Sequence, residues 1–323
     1  QNTLIAELQD NARFATEALS RDLEMAGFFG GMLDISLMQD DALPNLGADC
    51  GVTDADGNVG PWAYTRGAIE FVNDVAANSA DDTYSCLTDG TVLEGTDILT
   101  VRRVSGVSTA QVTTVGVNPT LLPNLIYLRS NSTAGALFFS GSAATNSGNA
   151  VEPALPPYEF WEYYSRMNFV SPSTLDPGTG ASTGDNIPTL YRGFITEQAS
   201  PTIAFEPLAE GVEDMQIAFG IDTDGDGIVN RYEAAPTAAN IANAITARIQ
   251  LLVRSVVADP SYTNNKIYNI FGKDDDGDGQ TDENTVNPPS FDGIPKDDNF
   301  YRRIANTTVI LRNPALARGI TPQ

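Results

Sequence analysis

A chain of 323 residues, 41% hydrophobic and 19% charged, is long enough to bury a sizeable core. Its formal net charge of −24 argues against nucleic acid or anionic lipid as main partners and fits an exported protein that meets divalent cations. The absence of histidine removes the commonest general base, the Ser-His-Asp and Cys-His arrangements and the usual zinc ligands.

No Gly-x-Ser-x-Gly elbow, phosphate-binding glycine loop or dinucleotide fingerprint is present. No residue is therefore assigned a catalytic role, and the chain is not read as an enzyme. It has no apolar run long enough to span a bilayer.

In chain order, residues 1–26 carry the strongest helical signal. Leu4, Leu8, Ala12, Ala15, Leu19, Leu23 and Ala26 recur every three or four residues and mark one apolar face. Gly27 is placed to end this helix. The chain starts at Gln1 inside the helical pattern, which reads as a chain cut within a longer helix. Residues 32–95 are irregular and hold both cysteines, Cys50 and Cys86. In an exported chain this pair is expected to form one disulfide. The spacing itself does not say whether the pair is oxidised.

Strands are expected at 95–104, 111–117, 124–129, 136–140, 159–169 and 189–196, with loops at 130–135, 141–150 and 171–186. In residues 215–221 the large apolar residues Met215, Ile217, Phe219 and Ile221 alternate strictly, the mark of a strand with one buried face. A short helix is expected at 236–244. Long strands are expected at 247–257, with Arg248, Gln250 and Arg254 on the wetter side, and at 304–312. One helix followed by many strands implies an α+β chain, a helix packed on an antiparallel β-sheet with long loops.

The strand at 215–221 runs directly into the sequence Asp222-Thr-Asp-Gly-Asp-Gly-Ile-Val-Asn-Arg-Tyr-Glu233. A calcium loop places carboxylates at positions 1, 3 and 5, a glycine at 6, a backbone carbonyl at 7 and a bidentate glutamate at 12. Asp222, Asp224, Asp226, Gly227, Ile228, Asn230 and Glu233 fill that pattern. Because a strand enters the loop, the ion is expected to be structural and carried on a sheet. A second acidic loop offers Asp274, Asp276, Asp278, Gln280, Asp282 and Glu283. Its twelfth position is Thr285, so it is expected to bind more weakly. The cluster Asp292, Asp297 and Asp298 lacks the spacing and reads as a solvated loop.

Five blocks together resemble the PilW-type minor pilins of type IV pili. These are Leu8-Gln-Asp-Asn-Ala-Arg-Phe-Ala15 with Leu19-Ser-Arg-Asp-Leu-Glu-Met-Ala-Gly-Phe28; Gly95-Thr-Asp-Ile-Leu-Thr-Val-Arg-Arg103; Glu210-Gly-Val-Glu-Asp-Met-Gln-Ile217; Leu251-Leu-Val-Arg-Ser255; and Thr307-Thr-Val-Ile-Leu-Arg-Asn313.

The resemblance implies a type IV pilin fold. Residues 1–27 would be the C-terminal half of the long pilin helix and residues 28–323 its β-rich head. It also implies a non-catalytic subunit of the tip complex that primes pilus assembly. Other minor pilins would be partners, with a PilY-type tip adhesin as a further one. The chain would sit at the inner membrane and periplasm before assembly and at the pilus tip afterwards, touching the membrane only through an apolar half-helix absent from this sequence. Leu4, Leu8, Ala12 and Ala15 are the candidate contact to a partner helix; the competing expectation is that this face is internal core.

Two other functions stay open at this point. One is a tip pseudopilin of a type II secretion system. The other is a calcium-dependent surface adhesin or carbohydrate-binding module, with Phe160, Trp161, Tyr163 and Tyr164 as an aromatic platform.

Overall fold

The computed structural model describes the chain apart from residues 1, 33–36, 42, 45, 47–49, 51, 54–58, 61, 65–66, 76–83, 88–89, 115–118, 132–133, 142–156, 178, 269, 272–293, 296–297 and 318–323. Helix α1 (Asn2–Met25) comes first. The strands that follow are β1 (Met38–Asp41), β2 (Val52–Thr53), β3 (Val59–Gly60), β4 (Ile69–Val72), β5 (Ile98–Val104), β6 (Ala110–Val112), β7 (Ile126–Ser130), β8 (Gly135–Phe139) and β9 (Tyr158–Ser171). Beyond them run β10 (Thr189–Ile195), β11 (Ile203–Glu210), β12 (Val212–Ile221), β13 (Arg231–Glu233), the short helix α2 (Ala238–Ile241), β14 (Ala244–Arg254), β15 (Ile267–Tyr268), β16 (Ile294–Pro295), β17 (Arg302–Ile310) and helix α3 (Arg312–Ala317).

The expectation of an α+β pilin fold, one helix on one antiparallel sheet, is overturned. The chain is mostly β, 41% strand against 15% helix, and builds two main sheets. The first has nine strands, with β1-β8-β7-β9-β10-β11 as its path and β4, β5 and β6 added through β9 and β5. The second has four, ordered β13-β12-β14-β17. Pairing is antiparallel except between β1 and β8. The physical reason is economy of cover. Helical periodicity stops at Gly27, whereas strand-forming segments recur to residue 310, and one helix of 24 residues cannot bury so many strands. The strands must therefore bury one another.

The first sheet is covered on both faces. One face packs Ile98, Val104, Leu128, Trp161, Tyr163 and Met167 against Phe29, Trp62, Tyr84 and Leu87. The other, through Leu99, Val101, Val170 and Leu190, shares a core with α1 and the second sheet. Within that shared core Phe71 meets Phe219 edge-to-face at 5.1 Å between ring centres. Asp97 adds a polar link between the sheets. Its N–H donates to the Met215 carbonyl at 3.0 Å, and its carboxylate accepts from the Ile217 N–H at 2.6 Å.

Helix α1 ends where Gly27 takes a φ of 73° and donates its N–H to the Arg102 carbonyl of β5. Leu8, Ala12, Ala15, Leu19 and Leu23 are all buried in the chain's own core, and Leu4 is half-buried. The surface that Leu8, Ala12 and Ala15 would offer a partner helix is covered by β11, β14 and β17.

Two expectations about exposure also change. On β12 the alternate residues Gln216 and Ala218 are buried as well as Met215 and Ile217, and Gln216 donates to Asp74, to the Gly95 carbonyl and to Asp214. On β14 Arg248 is exposed, but Gln250 and Arg254 are buried. Arg254 stacks on Phe300 at 3.9 Å and donates to the Asn186 carbonyl.

Candidate functional site

The first acidic loop is the tip of a hairpin. β12 delivers the chain to Asp222, and β13 returns it with Ile221 opposite Arg231 and Phe219 opposite Glu233. The Asn230 N–H closes the neck on the Ile221 carbonyl at 2.9 Å, and the Asp222 N–H donates to the carbonyl of Asn243, just before β14, at 3.1 Å. Inside the loop each aspartate folds its carboxylate back on the chain. Asp222, 1% exposed, accepts from the N–H groups of Gly225 at 2.6 Å and Gly227 at 3.1 Å. Asp226 accepts from the Ile228 N–H at 2.8 Å. Gly227 holds a φ of 85°, a conformation that a side chain would strain.

This winding gathers carboxylate oxygens of Asp222, Asp224 and Asp226 within 4.8 Å of one another. No other such acidic trio occurs among the described residues. Three like charges so close repel strongly, and a hard cation seeks such oxygens. The other candidate ligands stand differently. Asn230 turns its side-chain oxygen to Thr223, accepting from the N–H at 2.6 Å and the hydroxyl at 2.9 Å. Ile228 is exposed. Glu233 lies outside the trio. Its carboxylate is engaged by Arg231 Nε and by Asn240 Nδ2 at 2.7 Å.

The second loop, with Asp274, Asp276, Asp278, Gln280, Asp282 and Glu283, lies outside the described residues, as do Asp292 and Asp297. Asp298 is described, and it is no solvated acid. It forms two bonds of 2.6 Å to Arg302, which is also held by Glu213. The paired guanidinium holds the Asp298 carboxyl below its ordinary value.

Cys50 and Cys86 form a disulfide, with Cα atoms 4.6 Å apart. Cys50 is buried in the core that holds Trp62, Tyr84 and Leu87, so the bridge joins two parts of the segment that covers the first sheet. The aromatic platform does not form. Phe160, Trp161 and Tyr163 are core residues, and Tyr164 donates its hydroxyl to Glu162 while Arg103 and Arg166 sit over its ring.

One constellation went unanticipated. Asp22 of α1 is fully buried and faces Arg166 at 2.7 Å, Arg192 at 2.9 Å and Arg103 at 3.6 Å. Its only local signal is a charged residue inside the apolar stripe, one turn from Leu19.

Residues 178–313 match the model of the PilW family, type IV pilus-assembly protein W. Over that span the chain is similar to PilW-type pilus proteins. The matched part is less than half of the chain. It takes in the acidic hairpin and the whole of the four-stranded sheet, together with three of the five blocks that carry the resemblance. The helix and the β5 block lie outside it. No curated protein and no solved structure matches the chain. No described helix is long and apolar enough to cross a membrane.

Proposed function

We propose that this PilW-type chain is a non-catalytic structural subunit, a minor pilin, of the complex that primes type IV pilus assembly and remains at the filament tip. The PilW match across the second sheet supports this reading. Its partners are other minor pilins and a PilY-type adhesin, and it resides in the envelope before assembly and at the pilus tip afterwards.

In the same proposal calcium occupies the loop at 222–233. The trio Asp222, Asp224 and Asp226 would give it three hard oxygens, and the Ile228 carbonyl and water would add to them. Glu233 joins only if it leaves Arg231 and Asn240. Bound there, the ion would neutralise the trio and fix the hairpin that closes the second sheet. The loop at 274–283 is proposed as a weaker site.

The test is capture of candidate minor pilins by the purified chain, in millimolar calcium and in chelator. Stable complexes that weaken in chelator support both halves. Complexes indifferent to chelator remove calcium from the proposal, and no complex with any minor pilin removes the assembly role.

A further inference from the structure

Among the described strands, most edges of the two main sheets are blunted. β1, β4, β6 and β13 have four residues or fewer. β11 is longer, but Pro207 interrupts it and its pairing with β10 shifts between Leu190 and Tyr191. Short strands, proline and bulges are common devices that keep a sheet edge from recruiting another chain. β17 has none of them. Its nine residues contain neither proline nor glycine, and they keep one unbroken register with β14 from Arg302 to Ile310.

The direction of its free hydrogen-bonding groups follows from the pairs just beyond its two ends. The Leu311 N–H donates to the Ile245 carbonyl, and the Tyr301 carbonyl accepts from the Ser255 N–H. In an antiparallel ladder, bonded and non-bonded positions alternate. The odd-numbered residues 303–309 therefore bond to β14. Arg302, Ile304, Asn306, Thr308 and Ile310 turn their N–H and C=O groups away from it. No described residue bonds to the backbone of these five on that outer side. Asn306, Thr308 and Ile310 are exposed, so the half of the edge nearest α3 is open to solvent.

The same edge carries a charge unlike the rest of the chain. Residues 301–323 hold Arg302, Arg303, Arg312 and Arg318 and no aspartate or glutamate, in a chain of net charge −24. Arg302 is taken by Glu213 and Asp298. Arg303 and Arg312, one near each end of β17, are exposed and form no ion pair among the described residues. A second copy of this chain would meet the edge with the same arginines, whereas an acidic strand would meet them with carboxylates.

We propose that the outer edge of β17 is a docking site for an extended segment of a partner protein, which adds a strand to the second sheet and carries an acidic residue at each end. Backbone bonds to Asn306, Thr308 and Ile310 supply the affinity of such strand addition, and Arg303 and Arg312 select the acidic flanks.

Calorimetric titration of the whole chain tests this with two blocked nonapeptides: Glu-Thr-Val-Thr-Asn-Thr-Val-Thr-Glu, and the same peptide with Lys at both ends. The Glu peptide is expected to bind at least about tenfold more tightly than the Lys peptide, and added salt should narrow the gap.

Two variants place the binding on β17. Thr308→Pro removes an outward N–H that β14 does not use, so it should abolish binding and leave Tm near the parent value. Arg303→Gln has no described ion pair to lose, and it should weaken the Glu peptide about threefold while leaving the Lys peptide no weaker. If Thr308→Pro fails to fold, Arg303→Gln decides. The site is overturned if neither peptide binds, if both bind equally, or if Arg303→Gln holds the Glu peptide as tightly as the parent does. A chain that sediments as a dimer, and as a monomer once Thr308→Pro is introduced, would give the edge to a second copy and overturn the proposal as well.

Discussion

Asp22 and Asp222 are both buried carboxylates, and the chain surrounds them in opposite ways. Asp22 faces three guanidiniums drawn from β5, β9 and β10. Asp222 accepts two backbone N–H groups and stands beside two further carboxylates. One region holds surplus positive charge, the other surplus negative charge. The positive surplus is locked between a helix and a sheet, so Asp22 belongs to the fold itself. The negative surplus hangs at the tip of a hairpin, where a cation from solvent can complete it. Burial alone therefore does not tell what a carboxylate is for; its neighbours do.

The strongest way to break this comparison is to remove Asp22. Asp22→Ala leaves three buried or half-buried guanidiniums without their shared anion, and losing one partner of a buried pair costs about 3–5 kcal/mol. Denaturant unfolding should show that loss as a lower midpoint with an unchanged slope. A loss under about 1 kcal/mol would mean that solvent already compensates the arginines, as at a surface pair.

Calcium acts on the other member. A ligand of the native state at a hundredfold excess over its dissociation constant stabilises by about 2.7 kcal/mol. Tm should rise between chelator and millimolar calcium, and Asp222→Ala should abolish the rise. Glu233→Ala should reduce it less, because Arg231 and Asn240 hold that carboxylate away from the trio. Equal effects of the two substitutions would show that Glu233 swings in when the ion binds. No shift in the parent chain would remove calcium from the loop.

How much of this was legible varies with range. The period of α1, the aromatic run of β9 and the alternation of β12 are local patterns, and they located those elements within a few residues. β11 escaped because Pro207 and two half-exposed glutamates dilute any alternation on an edge strand. β13 escaped because its three residues sit inside the acidic loop pattern. The acidic motif was plain, yet its twelfth residue is placed by strand pairing with Phe219, which loop spacing does not encode. The Asp22 cluster joins residues 144 and 170 positions apart, and no local period can report that. The two-sheet layering was hidden for the same reason: alternation shows that a strand has a buried face but not what covers it.

Asp97 sharpens the comparison from a third position. It is buried like Asp22 but is held by the N–H groups of Asp74 and Ile217 rather than by guanidiniums. Burial, with Asp74 and Asp214 nearby, holds its carboxyl well above the ordinary value, although those two N–H bonds pull it down. The sign follows from proton uptake. A folded state that binds the proton more tightly than the unfolded one loses stability as pH rises from the ordinary carboxylate range through the raised value. Asp97→Asn should therefore flatten the fall in unfolding free energy as pH rises from the ordinary carboxylate range. An unchanged profile would place the titration elsewhere.

The smallest effect is expected on the same helix as the largest. Asp10 and Arg13 form an ion pair at 3.2 Å, more than two helical turns before Asp22, but their side chains are 73% and 79% exposed. Water screens the pair, and each long side chain gives up freedom to hold the geometry. Arg13→Ala should change unfolding free energy by no more than about 0.5 kcal/mol, and added salt should erase even that. The contrast with Asp22→Ala isolates burial as the variable, since both substitutions remove one member of an aspartate–arginine contact made by α1. If Arg13→Ala proved as damaging as Asp22→Ala, the exposed face of the helix would be engaged in packing, and the division of α1 into an inner and an outer face would have to be redrawn.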